Sequence, residues 1–246
     1  MLFFARPDPA RKRFRREGFH RVENALLPEG KDYLVERSHA EVAKVSYEPR
    51  GWGEIYAAPS ARLLEEQVFT DEFEEALIGI CGRSTKQLGN IDCPQHAFCR
   101  QVEGDWGYDT HIDGAAADRE EPPGQYEVLI ALLLSPVRSE ADGAFVFWPG
   151  SHLEVFANLR SKPRQFLRTA IHDCVPELAA KGAPALKSGP AALTGDVGTA
   201  LICHRLLVHG TAPRTRPGIR HMAFFRPAYA PYEKDALVKS TTFAKL

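Results

Sequence analysis

The sequence predicts a mainly β chain, a jelly-roll with peripheral helices packed against one of its sheets. Two features of the chain lead there. The first ninety residues read as helices and loops, and beyond residue 90 the texture changes to short β-like runs broken by Gly, Pro and Asp. The length of 246 residues points the same way, since all-β barrels and sandwiches of this size are commonly one domain. The expected organisation is one domain over 1–246. It has a helical and loop flank at 1–90, a jelly-roll core at 91–226 with an insert at 153–195, and a C-terminal tail at 227–246.

Segment 11–16 (Arg-Lys-Arg-Phe-Arg-Arg) follows Asp8 and Pro9, which suit an N-cap and a first helical position, and precedes Gly18, which suits a stop. This one basic run reads as a solvated helix face. Residues 60–68 start at Ser60, a second N-cap candidate. Residues 71–80 start at Asp71 and carry Glu74 three positions later, a capping-box spacing. Strands are expected at 95–102, 126–134, 143–148, 197–203 and 218–226. The run Tyr126–Leu134 is nearly all apolar, so that strand should be covered on both faces. Gly195 and Asp196 predict a tight turn feeding Val197–Cys203. Residues 153–195 break the strand pattern with Pro163, Pro176, Pro184 and Pro190 among basic residues. Connections of that length in compact barrels are usually functional or partly disordered, and this one is expected to form part of a substrate mouth.

Composition narrows the function. Hydrophobic residues at 44% and charged residues at 26% are ordinary for a soluble globular chain. A net charge of −1 gives no reason to expect a nucleic-acid or membrane partner. The five cysteines (Cys81, Cys93, Cys99, Cys174 and Cys203) are odd in number, irregularly spaced and without a CxxC, which argues against a disulfide framework or a zinc ribbon. The N-terminus lacks an apolar signal-like region, and Val128–Leu134, the longest apolar run, is far too short to span a bilayer. A cytoplasmic location is expected.

The chemistry concentrates in two places. Gly107–Gly114 reads GYDTHIDG, and its His111 and Asp113 are separated by one residue. In an extended chain, residues i and i+2 point to the same face, so an imidazole and a carboxylate reach one cation together. A second imidazole from a distant strand would complete a 2-His-1-carboxylate set, which leaves three positions open and is diagnostic of non-haem Fe(II) oxygenases. His209 sits at the end of an apolar run, before Gly210. Arg220 lies eleven residues further on, in another strand-like run, and suits bidentate pairing with a carboxylate.

With these residues in place, the chain resembles the phytanoyl-CoA dioxygenase-type branch of the Fe(II)/2-oxoglutarate-dependent oxygenases. The resemblance rests on four features. They are the opening FRREGFHRVENALLPEG (14–30), THIDG (110–114), the run Phe147-Trp148-Pro149-Gly150-Ser151-His152 with its PGSH, and GDV (195–197) followed by HG (209–210) and an Arg eleven residues after the distal His. The resemblance implies a double-stranded β-helix of the cupin-like kind. It implies that His111, Asp113 and His209 are both iron ligands and catalytic centre, and that Arg220 binds 2-oxoglutarate. With O2, a small-molecule substrate would be oxidised, most simply hydroxylated, with release of succinate and CO2. An intact carboxylate at 113 argues for hydroxylation over halogenation, which in related enzymes needs a small residue there.

Further candidates flank this core. Gln101 and Arg100 precede the HxD segment on a strand, where alternation lets only one face inward; Gln101 is assigned to the co-substrate and Arg100 to the substrate. Trp106 and Tyr108 are substrate-lining candidates or packing aromatics. His152, in its Pro-Gly turn, is expected to be structural, and Arg160, Arg164 and Arg168 read first as solvated. Arg214, Arg216 and Arg226 compete with Arg220 for the co-substrate. Two other function classes stay open. A non-catalytic jelly-roll that binds a metabolite predicts a lost ligand or lost Arg. A metal-dependent cupin-type hydrolase or isomerase predicts no role for Arg220.

Overall fold

Alternation of side chains along the strands decides where each layer sits. The structure is a computed structural model that describes residues 9–45, 52–56, 60, 62–63, 66–89, 91, 94–101, 110–113, 126–160 and 186–227. Nine strands appear among them: β1 (Phe19–Val22), β2 (Trp52–Tyr56), β3 (Gln95–Arg100), β4 (Val128–Leu133), β5 (Phe145–Phe147), β6 (Ala191–Ala192), β7 (Ala200–His204), β8 (His209–Thr211) and β9 (Ile219–Phe225). Six form a major sheet in the order β1-β7-β4-β9-β3-β2, and three form a minor sheet in the order β6-β5-β8. Neighbours pair antiparallel throughout.

The central strands of the major sheet split their residues between two cores. Val128, Ile130 and Leu132 of β4, Ala200 and Ile202 of β7, and Ala223 and Phe225 of β9 pack under the helices. Their alternates Leu129, Ala131, Leu133, Leu201, Cys203, Met222 and Phe224 face the minor sheet, where Phe145 and Phe147 join them. This explains the unbroken apolar run of β4, which is buried on both faces. The result is the expected jelly-roll, two facing sheets with helices outside the larger one.

Four α-helices are described: α1 (Pro9–Glu17), α2 (Pro28–Val42), α3 (Asp71–Cys81) and α4 (Ser151–Arg160). The basic run forms α1 as expected, with Phe14 fully buried and Arg11, Lys12, Arg13, Arg15 and Arg16 exposed. Gly18 ends it at φ +81°, donating to the Phe14 carbonyl at 2.7 Å. A side chain at Gly18 would meet His152 Nδ1 at 2.5 Å, so close approach adds a second reason for glycine. In α3, Phe73, Leu77 and Ile80 at i, i+4 and i+7 enter the core. Burying such side chains is worth about 1.5–3 kcal/mol each.

Several expectations change. The N-cap of α3 is Thr70, not Asp71: Thr70 Oγ1 accepts from the Phe73 amide at 3.4 Å. Glu74 does not close a box; its carboxylate accepts from the Thr85 amide and hydroxyl. The capping box lies instead at Ser84 and Gln87, opening a 3-10 turn at Thr85–Gln87. Of 60–68, the described part has helical backbone at Arg62 and Leu63, with the Leu63 amide donating to the Ser60 carbonyl. The flank 1–90 is not only helix and loop, since β1 and β2 lie in it and form both edges of the major sheet. The insert 153–195 begins inside α4 and ends with β6, leaving residues 161–185, with Arg164, Arg168 and Cys174, outside the described residues. Trp106, Tyr108, Cys93 and all but the first residue of the tail also lie outside them. No helix among the described residues is long and apolar enough to cross a membrane.

Candidate metal centre

The centre is assembled by a backbone bridge. His111 and His209 are antiparallel partners that exchange both hydrogen bonds, His111 N to His209 O at 2.7 Å and His209 N to His111 O at 3.0 Å. The HxD segment thus extends the minor sheet beyond β8, and the two imidazoles stand side by side with ring centroids 4.5 Å apart. Asp113, two residues on, returns to the same side. Its Oδ1 lies 3.6 Å from His111 Nε2 and 3.5 Å from His209 Nε2. These separations are too long for good hydrogen bonds and suit three donors around one ion. The donor atoms all lie within 4.8 Å of one another, the one such group of three His, Cys, Asp or Glu among the described residues.

The neighbours settle the protonation of the donors. His209 Nδ1 sits 2.8 Å from the Leu207 carbonyl, which only accepts, so Nδ1 carries the proton and Nε2 presents its lone pair. Phe145 stacks on the same ring at 5.2 Å. Asp113 Oδ2 accepts from Tyr126 OH at 3.0 Å and Arg226 Nε at 2.9 Å, leaving Oδ1 toward the imidazoles. Burial opposes ionisation of Asp113, but the Arg226 guanidinium and both imidazoles outweigh it and hold the carboxyl well below its usual range. Burial, with the Asp113 carboxylate beside it, pushes the Tyr126 phenol well above its ordinary value, so it remains a donor. Two imidazoles and an ionised carboxylate form a donor set that suits a divalent transition ion.

Beside the triad opens a cavity. Ala97, Phe145 and Phe224 give it apolar walls, and Glu54, Thr211, Arg220 and Arg226 give it polar ones. Arg220 projects from β9 on the inward face, since it pairs in register with Cys99 and stands two residues before Met222 on the same face. It is 1% exposed, and its Nε and Nη1 find no hydrogen-bond partner among the described residues. Burial lowers its pKa from the ordinary value against the opposing pull of Cys99 and Glu54, yet a guanidinium remains protonated, so a buried cation with two unsatisfied donors faces the cavity. An anionic group such as a carboxylate matches it in charge.

The competing arginines are otherwise engaged. Arg214 donates to the carbonyls of Asp142, Pro217 and Gly218 and so ties the β8–β9 connection. Arg216 is largely exposed and pairs with Asp142 at 3.5 Å, and Arg226 holds Asp113. Two neighbours expected at the site do not line this cavity. Arg100 stands on the outer face of β3, its guanidinium 5.4 Å over the Phe98 ring. Gln101 has the inward parity, but it lies exposed past the strand end and gives its amide to the Thr215 carbonyl at 3.3 Å. His152 is structural as expected, its Nε2 hydrogen-bonded to the Arg15 carbonyl at 3.0 Å. It lies in the first turn of α4, not in a loop, and the neighbouring Ser151 Oγ accepts from the Val208 amide at 2.9 Å.

Tyr126, Gln95, Glu54, Thr211 and Ser151 were not marked by the sequence as site residues. Gln95 accepts from Arg226 Nη1 and donates to Glu54, extending the network from Asp113 to the edge strand. Only Thr211 carried a usable signal: two residues after His209, it shares that residue's face.

No protein-family profile and no characterised protein sequence matches the chain. Solved structures do. The non-haem alpha-ketoglutarate-dependent epimerase SnoN from nogalamycin biosynthesis superposes with a TM-score of 0.58 at 15% identity, covering 90% of this chain and 81% of that one. The carbocyclase SnoK from the same biosynthesis gives 0.55 at 14%, covering 94% and 88%. EctD from S. alaskensis with bound Fe gives 0.58 at 16%, covering 95% and 81%. EctD has also been solved with 2-oxoglutarate and 5-hydroxyectoine. The chain therefore has the jelly-roll fold of the non-haem, alpha-ketoglutarate-dependent enzymes.

Proposed function

We propose that this protein is an Fe(II)/2-oxoglutarate-dependent dioxygenase that oxidises a small organic substrate, with hydroxylation as the simplest outcome. One observation carries the reading: the 2-His-1-carboxylate cluster opens onto the same cavity as a buried guanidinium with unpaired donors. A decayed binding protein has no need of a complete ligand set, and a cupin-type hydrolase or isomerase has no need of Arg220.

When bound, Fe(II) with 2-oxoglutarate and O2 supplies the oxidising power, and the keto acid leaves as succinate and CO2. The chain contributes position and exclusion of water. His111, Asp113 and His209 would hold the ion, and Arg220 would receive the distal carboxylate of 2-oxoglutarate. Phe145 and Phe224 keep the centre dry on the sheet side. The intact carboxylate of Asp113 favours hydroxylation over halogenation. An epimerase and a carbocyclase share the fold, so substrate pose and not the sheet decides between such outcomes.

The test is an anaerobic Fe(II) titration with 2-oxoglutarate, following the weak charge-transfer band near ~500 nm that a chelated keto acid gives on such an iron. A band that is present in the native chain and lost in His209→Ala supports the reading. Its absence in folded, metal-loaded protein refutes it.

A further inference from the structure

Arg226 stands where a metal site would not be expected to place a cation. Its Nε donates to Asp113 Oδ2 at 2.9 Å, so the single anionic ligand of the triad already has a positive partner. Arg220 adds a second, buried guanidinium to the same cavity. The other carboxylate lining the cavity, Glu54, is exposed, accepts from Gln95 and bears on Arg220. The cation in contact with Asp113 is therefore Arg226, and a dication arriving beside this carboxylate meets it already paired. A dianionic keto acid offsets this, since one carboxylate answers Arg220 and the other reaches the ion.

We propose that Arg226 is a positioning residue that pre-pairs the Asp113 carboxylate, so that the centre binds a divalent ion weakly alone and firmly together with the dianionic co-substrate. This rests on the dioxygenase reading of the site. Coupling of this kind is reciprocal, so the ion tightens the keto acid by the same factor. Tyr126 separates charge from orientation. Its hydroxyl donates to the same Oδ2 at 3.0 Å without adding charge, and it keeps the carboxylate aimed when Arg226 is replaced.

The experiment measures Mn(II) affinity from the electron-paramagnetic-resonance signal of the free ion, with and without 2-oxoglutarate. In the native chain 2-oxoglutarate should tighten Mn(II) about tenfold or more. Arg226→Gln should tighten Mn(II) alone by about tenfold, the scale of one nearby charge at partial burial, and shrink the gain from 2-oxoglutarate. Arg226→Lys, which keeps the charge, should behave like the native chain. Tyr126→Phe should not tighten Mn(II) alone, which keeps the proposal testable if Arg226→Gln fails to fold. Native Mn(II) binding left unchanged or weakened in folded Arg226→Gln overturns the proposal and spares the dioxygenase reading, as does a Tyr126→Phe chain that tightens. A native chain that binds no Mn(II) even with 2-oxoglutarate overturns both.

Discussion

Replacing Arg220 by Met removes the guanidinium while keeping an unbranched side chain of similar reach. Two quantities should then move apart. A charge-assisted hydrogen bond is worth about 1.5–3 kcal/mol, so 2-oxoglutarate should bind about 10- to 150-fold more weakly. The ligand-free fold should lose nothing. Arg220 is 1% exposed with Nε and Nη1 unpaired, and an uncompensated buried cation opposes folding. The melting temperature of the ligand-free variant should therefore equal or exceed the native value. Isothermal titration of 2-oxoglutarate into metal-loaded protein measures the first quantity, and thermal unfolding the second. Unchanged affinity in folded protein would refute the assignment and move the contact to Arg226, because Arg214 is already committed to three backbone carbonyls. A steep fall in melting temperature would make Arg220 a structural residue instead.

Each of His111→Ala, Asp113→Ala and His209→Ala should abolish tight metal binding, as read by equilibrium dialysis, since each removes one of three ligands. Ser151→Ala should cost about 1–3 kcal/mol of stability by chemical denaturation, because the buried Val208 amide loses its acceptor one residue before His209. Stability should also fall with pH below neutrality through His96. Burial, helped by Arg37, holds its folded pKa at about 4 against an ordinary value of 6.5. Above pH 6.5 both states are neutral and the effect is nil. Below it the unfolded chain takes up a proton that the folded chain refuses, so stability drops until about pH 4. The loss from this one group is up to about 3 kcal/mol, and His96→Gln should flatten that limb of the denaturation profile. A profile of the same slope in the variant would remove His96 as its source.

Strands long enough to show their pattern were legible in the sequence. Those expected at 95–102, 126–134, 143–148, 197–203 and 218–226 all appear with trimmed ends. Missed were β1, β2, β6 and β8, of two to five residues; length alone did not decide, since β5 has three and stood out as an apolar run. The Thr70 cap was hidden because Asp71 and Glu74 offered the better-known spacing, while Glu74 found a tertiary partner in Thr85. At the site, HxD, the distal HG and Arg220 were readable because each is a local motif or a fixed spacing. The Arg226 contact with Asp113 joins residues 113 positions apart, and that of Ser151 with Val208 joins residues 57 apart. Such contacts exist only once the sheets have closed, and no period in the chain announces them. The reading of Arg226 as a rival to Arg220 recognised its charge and missed its partner.

The exchange of backbone hydrogen bonds between His111 and His209 has an evolutionary consequence. Ligands in many small metal domains are gathered by the ion itself, and the apoprotein is unfolded. Here the backbone pairing of the sheet itself sets the two imidazoles side by side. A single drift at position 113 would silence the chemistry and leave a folded cavity with an anion-seeking arginine at its wall. A scaffold with its catalyst held as removable cargo can pass between enzyme and binding protein without crossing an unfolded intermediate.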